Sequence, residues 1–471
     1  MAAPAPEPPI ARLPAELLLH IFAIARDAHD AGVPSFDSSS VFHLLRQRVN
    51  PILALSHTCR AWRALTDTQA ELWGSLHLDG DVDGEGAEGK ASWWAEKAQR
   101  LRGVGEHGEG GGGITALHLT RVQDWSDDDF SYLCESLELV NHLRLRRVHV
   151  SWMGGGAADE HKQLLSFFRL LLPSARILTS LALHTSSHLR ILFSLPRLGH
   201  TFSALSSLEI RSTKVSSPAS DAYLVPAFLP RYNGESEWAP LAKLKRLVLV
   251  GPIWRLRYRD GTVASPTLAA EDVPALEYAH LSSTSPQVHW DMLSHAAGSL
   301  KHLHLEDWFD QPHLPDPDLV SGSFCRLTSI SLRRCAPLAT RLLNLALQTP
   351  GLTWPNLAEL DLSSARLSQE QLELFGGDRA SELQKLDLSD STSAEESGVL
   401  DLPTLPALRA LALFRVGWIA PKRLSDEVVH RGRTVRLEEL RSDLAFGESE
   451  ERGLRAVGVR LVREEEGDGE E

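Results

Sequence analysis

The residues able to carry chemistry are scattered rather than gathered. Gly103-Val-Gly-Glu-His-Gly108 has the spacing with which a glycine-rich turn binds a dinucleotide. It follows no predicted strand and leads into more glycines and then a strand, so it carries no such site. The glycines at 110–113 lack the lysine and hydroxyl of a phosphate loop. No G-x-S-x-G elbow and no H-E-x-x-H helix occurs. Twenty histidines invite a metal reading. His302 and His304 stand two apart on one predicted strand, facing the same way. A metal would need further ligands and a second layer to orient them, and the sequence names none. Solvated strand-face histidines are expected instead. Cys59 is expected as a small buried apolar side chain rather than a nucleophile. The reading is a non-enzyme, with no catalytic residue, no metal and no cofactor.

The elements that would position a site are clearer. From Ile114 onward one pattern returns: an apolar residue, two others, leucine, one other, an apolar residue. It reads Ile114-Thr-Ala-Leu-His-Leu119, Val140-Asn-His-Leu-Arg-Leu145, Leu178-Thr-Ser-Leu-Ala-Leu183 and Leu205-Ser-Ser-Leu-Glu-Ile210. It continues through copies starting at Leu244, Leu276 (with Ala279 in the middle), Leu300, Leu327, Leu357, Leu383 and Leu408, with a terminal copy expected at Leu454-Arg-Ala-Val-Gly-Val459. Starts at 300, 327, 357, 383 and 408 give a period of about 25–30 residues. Each leucine core predicts a short strand with alternate residues inward. Helical runs lie between, one opened by the capping box Ser368-Gln-Glu-Gln371 and another over 340–348. These copies resemble a leucine-rich-repeat solenoid over 114–460. The third position after the last strand leucine, where that family places Asn or Cys, holds Cys335 once and Val148, Thr213, Ala365 or Val416 elsewhere, so an irregular solenoid is expected.

Ahead of the repeats the apolar spacing is helical. Leu13, Leu17, Leu18, Ile21 and Ala25 recur at threes and fours, and Pro14 suits a first helical turn. Further helical stretches are expected over 41–49 and from Ile52 through Trp62 to Leu65. The segments Leu13-Pro-Ala-Glu, Ile21-Phe22, Cys59-Arg-Ala-Trp-Arg63 and Leu72-Trp73 stand in order. Together they resemble the F-box, and the chain resembles the F-box-like proteins of higher fungi, with a longer interval between Phe22 and Leu55. The resemblance implies docking on a Skp-type adaptor and, through it, a cullin, with ubiquitin transfer done by other subunits. The face that would fill the adaptor groove is Leu13, Pro14, Leu17, Leu18, Ile21, Ile52, Leu55, Cys59 and Trp62. Trp73 is expected to pack locally.

The domain order expected is a disordered N-terminus over 1–12, an F-box-like domain over 13–76, a Gly/acid-rich linker with a short helix over 77–113, the repeats, and an acidic disordered tail over 461–471. The fold class is α/β. The chain has 471 residues, and 48 basic against 62 acidic side chains leave a formal net charge of −14. That balance argues against nucleic acid or an anionic membrane as the partner, and no apolar run reaches the roughly 18 residues of a membrane span. Four cysteines without a C-x-x-C pair, and no secretory signal, suggest reduced thiols in an intracellular compartment, cytoplasmic or nuclear.

Residues between the strand leucines would face a concave sheet. There His142, Arg144, Arg146, Arg211 and Arg246 precede Glu306, Glu359, Asp361 and Asp387, with Arg333 and Lys385 among the acids. Arg144, Arg146, Arg211 and Arg246 are the candidate contacts for a protein target. The resemblance implies the substrate-recognition subunit of an SCF-type E3 ubiquitin ligase; the alternatives are a non-catalytic repeat scaffold that engages no ligase and, behind it, an α/β enzyme, for which the sequence offers no converging polar groups.

Overall fold

The computed structural model describes residues 13–31, 51–67, 70–80, 89–91 and 93, 114–139, 144–152, 166–185 apart from 168, 202–212, 241–250, 256–257, 263–264, 273–282, 298–307, 326–348, 354–374, 381–393, 405–431 apart from 406, and 437–463. The glycines of 103–113, the predicted helix over 41–49, the terminal segments 1–12 and 464–471, His142, Cys325, Trp238, Trp254, Trp290 and Trp308 lie outside the described residues. The chain divides into two compact units, Met1–Ser186 and Ser187–Glu471.

The first unit opens with helix α1 (Ala15–Ala31). Pro14 sits just ahead of it, at the cap rather than inside the first turn, and its carbonyl accepts the N–H groups of Leu17 and Leu18, both at 3.1 Å. The predicted run from 52 to 65 is two helices, α2 (Pro51–Thr58) and α3 (Arg60–Asp67). They break at Cys59, whose sulfur accepts the N–H of Trp62 at 3.4 Å. Cys59 is exposed; its polar work as a cap keeps it at the surface, against the expectation of a buried residue. Leu18, Phe22 and Ile52 form the buried side, and the Phe22 ring lies 5.0 Å from that of Trp62.

After a short turn at Ala70–Trp73, strand β1 (Ser75–Asp79) pairs in parallel with β2 (Ala116–Thr120), Leu76 against Leu117 and Leu78 against Leu119. The sheet thus begins in a stretch that the repeat spacing leaves out. Trp73 stands three residues before Leu76, as Ile114 stands before Leu117. The Trp73 indole N–H donates to the Thr66 carbonyl at 3.1 Å, and the carbonyl of Gly74 accepts the N–H groups of Thr115 and Ala116. The side chain that ends the helical region is also the first rung of the sheet. Part of the expected linker packs here too: Ala91 is buried, and the Trp93 ring stands edge-on to Trp73 at 6.0 Å.

Helix α4 (Asp127–Leu139) buries Phe130, Leu133, Cys134 and Leu137, spaced at threes and fours. Strands β3 (Arg147–Trp152) and β4 (Ser180–Thr185) then extend the parallel order β1-β2-β3-β4. The register corrects the sequence frame. Val148 pairs with Leu117 and Val150 with Leu119, so the strand copy is Leu145-Arg-Arg-Val-His-Val150, not 140–145. Both frames satisfy the apolar spacing; the β-branched valines favour the later one.

The second unit carries parallel strands in the order β5 (Ser207–Ser212), β6 (Arg246–Val250), β9 (Tyr278–Ser282), β10 (His302–Glu306), β11 (Ser329–Arg333), β12 (Glu359–Asp361), β14 (Lys385–Asp387), β16 (Ala410–Leu413), β17 (Glu439–Ser442) and β18 (Arg460–Val462). Two short pairs stand apart, antiparallel β7–β8 (Leu256–Arg257, Val263–Ala264) and parallel β13–β15 (Arg366–Leu367, Thr392–Ser393). The helices are α5 (Ala336–Gln348), α6 (Gln369–Glu373), α7 (Pro421–Arg431) and α8 (Glu448–Ala456). The capping box at Ser368 is present: its hydroxyl accepts the Gln371 N–H and the Gln371 side chain accepts the Ser368 N–H.

The strand leucines stack in one buried ladder from Leu205 to Leu440. The residue two places after the last strand leucine repeatedly turns left-handed: Asp307, Arg334, Ser364, Asp390 and Arg415 have φ between 53° and 67°. Cys335 is buried at the Asn/Cys position, and its thiol donates to the Leu305 carbonyl at 3.4 Å. The sequence frame misses the copy Leu437-Glu-Glu-Leu-Arg-Ser442, because a serine ends it. The terminal copy at 454–459 is instead helix and turn: Leu454 is buried in α8, and the strand follows at Arg460–Val462. A helical F-box-like region followed by a solenoid-like repeat of parallel strands is the architecture the sequence leads one to expect.

Candidate functional site

In the first unit, α1 shows one face to solvent. Leu17 is 51%, Ile21 39% and Ile24 54% exposed. They stand at i, i+4 and i+7, so they form one apolar stripe. Pro14 and Cys59 are exposed too, and Leu13, Leu55 and Trp62 are half-buried. Leu18 and Ile52 turn inward, at 6% and 0% exposure. They belong to the local core and correct the expectation that they face a partner. Among the described residues, no group of three His, Cys, Asp or Glu is placed to hold a metal ion.

The corrected register moves the first arginines. Arg144 and Arg146 precede β3, and Arg147 takes the outward strand position; all three are exposed. Among the described residues, no ion pair engages Arg144 or Arg146. Arg211 and Arg246 do lie on outward positions of β5 and β6. They are no free basic patch: Glu209 takes Arg211 at 2.6 Å and Arg246 at 3.5 Å, and Arg211 is buried. The Arg246 guanidinium also lies over the Tyr278 ring, 4.1 Å from its centre.

Further along the second unit, the outward face runs from aromatic to acidic. Register places Val248, His280, His304, Ser331, Asp361 and Asp387 in one row across β6, β9, β10, β11, β12 and β14. Glu306 lies 3.5 Å from Arg333 and 3.6 Å from His280. Asp361 accepts the Ser331 hydroxyl at 2.8 Å and the Ser363 N–H at 2.9 Å. His280 holds the Glu306 carboxyl below the usual carboxylate range, while burial pushes the Asp387 carboxyl up.

Residues 10–79 match the F-box-like family model. No curated protein sequence matches the chain. A chain of the crystal structure of the Rad7 and Elc1 complex in yeast is similar at 14% identity, over 97% of this chain and 98% of that one, with a TM-score of 0.40. Among the described residues, no helix is long and apolar enough to cross a membrane.

Within the F-box-like region, sequence reasoning missed Ile24. The signal was available, since Ile24 continues the Leu17–Ile21 spacing by three. Sequence also gave no hint that Glu209 on β5 pairs with Arg246 on β6 or that His280 and His304 sit side by side, because both facts depend on which strands are neighbours.

Proposed function

We propose that this chain is the substrate-recognition subunit of an SCF-type E3 ubiquitin ligase, its F-box-like region docking on a Skp-type adaptor and its leucine-rich repeats holding a protein target. The observation that carries the reading is the stripe Leu17, Ile21 and Ile24, exposed on α1 inside the segment that matches the F-box-like family. Apolar side chains exposed in register on one helix face favour a helix-in-groove partner. A cullin joins through the adaptor.

The test is capture of a purified Skp-type adaptor by the full chain. Wild type is expected to bind. Leu17→Asp with Ile21→Asp and Ile24→Asp is expected to weaken capture by about 100-fold or more, at about 1 kcal/mol for each half-exposed side chain taken from water. Thermal unfolding should barely move, because none of the three is buried. A wild-type chain that captures no adaptor would favour the scaffold reading instead.

For the target we retain Arg144 and Arg146 as the basic contact, since both are exposed and unpaired among the described residues; an acidic segment is the fitting ligand class. Arg211 and Arg246 enter only as supports of the aromatic end of the second unit's face. Arg144→Glu with Arg146→Glu is expected to lower recovery of targets in affinity purification under proteasome inhibition and to leave adaptor recovery intact. Unchanged target recovery would move the contact away from these arginines.

A further inference from the structure

The histidines of the second unit, expected as solvated strand-face side chains, meet one another across neighbouring strands. His280 on β9 and His304 on β10 are in-register neighbours on the outward face, their rings 5.6 Å apart. The Tyr278 ring lies 5.7 Å from His304 and 5.9 Å from His302. We propose that this seam of imidazoles between β9 and β10 is an acid-sensitive switch, closed at neutral pH and opened by proton uptake as pH falls.

His280 faces Glu306 at 3.6 Å and stands in register beside His304. On the other flank stands β11, with Ser331 in register and Arg333 two residues on, which is shared between Glu306 and Asp361 at 3.5 and 3.8 Å. From β6 comes Arg246, already over Tyr278. His302 lies two residues away on the same strand. The carboxylates that would welcome a charged His304, Glu306 and Asp361, are both engaged. Asp361 is tied to Ser331 and Ser363, and Asp307, next along the chain, pairs with Arg334 at 2.6 Å. Burial first, and His280 second, push the His304 imidazole down to about 4.

An unfolded chain protonates the same ring at its ordinary value of about 6.5. Between that value and about 4, the unfolded chain therefore takes up a proton that the folded chain refuses, and stability falls as pH falls. Two neighbouring carboxyls also respond to acid at the lower end of this window. Glu306, held low by His280, keeps its full contribution above the usual carboxylate range and loses it as pH falls through and below that range. Asp387, pushed up by burial, acts in the opposite sense, because its folded form gains a proton as pH falls. Any release of a bound target on opening rests on the function proposed above, so the experiment reads the chain alone.

Denaturant unfolding of the full chain from pH 7.5 to 4.5 should show wild type losing on the order of 50-fold in its folded-to-unfolded ratio relative to His304→Gln. His280→Gln should recover part of that loss while His304 is kept, a response that mere packing of His304 would not give. Imidazole nitrogen shifts of the wild-type chain provide a readout that needs no variant: His304 should stay neutral below pH 5. A pH dependence unchanged by His304→Gln, or a His304 ring that titrates near 6.5, would overturn the proposal.

Discussion

Leu360→Ala is expected to lower stability by about 2–5 kcal/mol, the range for truncating a buried leucine. Leu360 is 5% exposed at the centre of β12, between Ile330 on β11 and Leu386 on β14. Its side chain is one rung of the ladder on which each repeat leans on the next, so the cavity would have neighbours on both sides. Asp361, one residue on, provides the contrast. On the sequence it faces solvent and its loss should cost little. The structure corrects this: the carboxylate is half-buried and accepts the Ser331 hydroxyl and the Ser363 N–H. Asp361→Ala is accordingly expected to cost about 1–2 kcal/mol, two hydrogen bonds to a charged group less the solvation it regains. Midpoints of denaturant unfolding at constant slope would rank the two. Equal effects would contradict the alternation of inward leucine and outward aspartate.

Gly80→Ala should do comparable damage by another route. Gly80 follows β1 directly, where the chain passes close to the turn after β2. A methyl group added there would lie 2.2 Å from the Arg121 carbonyl oxygen and 3.1 Å from the Asp124 Cβ. The nearest atom is backbone, so no side-chain rotation relieves the clash. Arg121 cannot readily retreat, because it is held left-handed at φ 52° and pairs with Asp79 at 2.5 Å. A cost of about 3 kcal/mol is expected, at the upper end of overpacking. Gly417→Ala is the control: nothing lies within 4 Å of its added Cβ, and its effect should stay within about 0.5 kcal/mol. Thermal unfolding of both variants decides it. A neutral Gly80→Ala would mean that β1 does not continue the sheet as described.

Much of the fold is legible in the sequence because its signals are local. The apolar spacing of 13–25 makes a helix, and Leu17 and Ile21 stand on its exposed face. The leucine spacing repeats often enough that single errors do not erase it, and the capping box at Ser368 needs only four consecutive residues. Failures occur where local spacing is satisfied twice or not at all. Residues 140–150 fit two overlapping frames. The copy ending in Ser442 breaks the apolar rule at its last position, yet the Ser442 hydroxyl reaches the Leu413 carbonyl and keeps the strand in place. Strand β1 hides behind a tryptophan that serves the helical region as well.

By itself, then, the sequence determined the order of a helical F-box-like region and a repeat of parallel strands, and the inward ladder of leucines. Both follow from residue spacing, which is a property of neighbours along the chain. The tertiary structure alone decided the surfaces. It set the register that moved Arg144 and Arg146 off β3, gave Arg246 to Glu209, and brought His280 beside His304. Charge and proton affinity depend on which groups lie within a few ångströms of one another. In a parallel sheet those groups come from different repeats, and the residues between them in sequence carry no trace of the meeting.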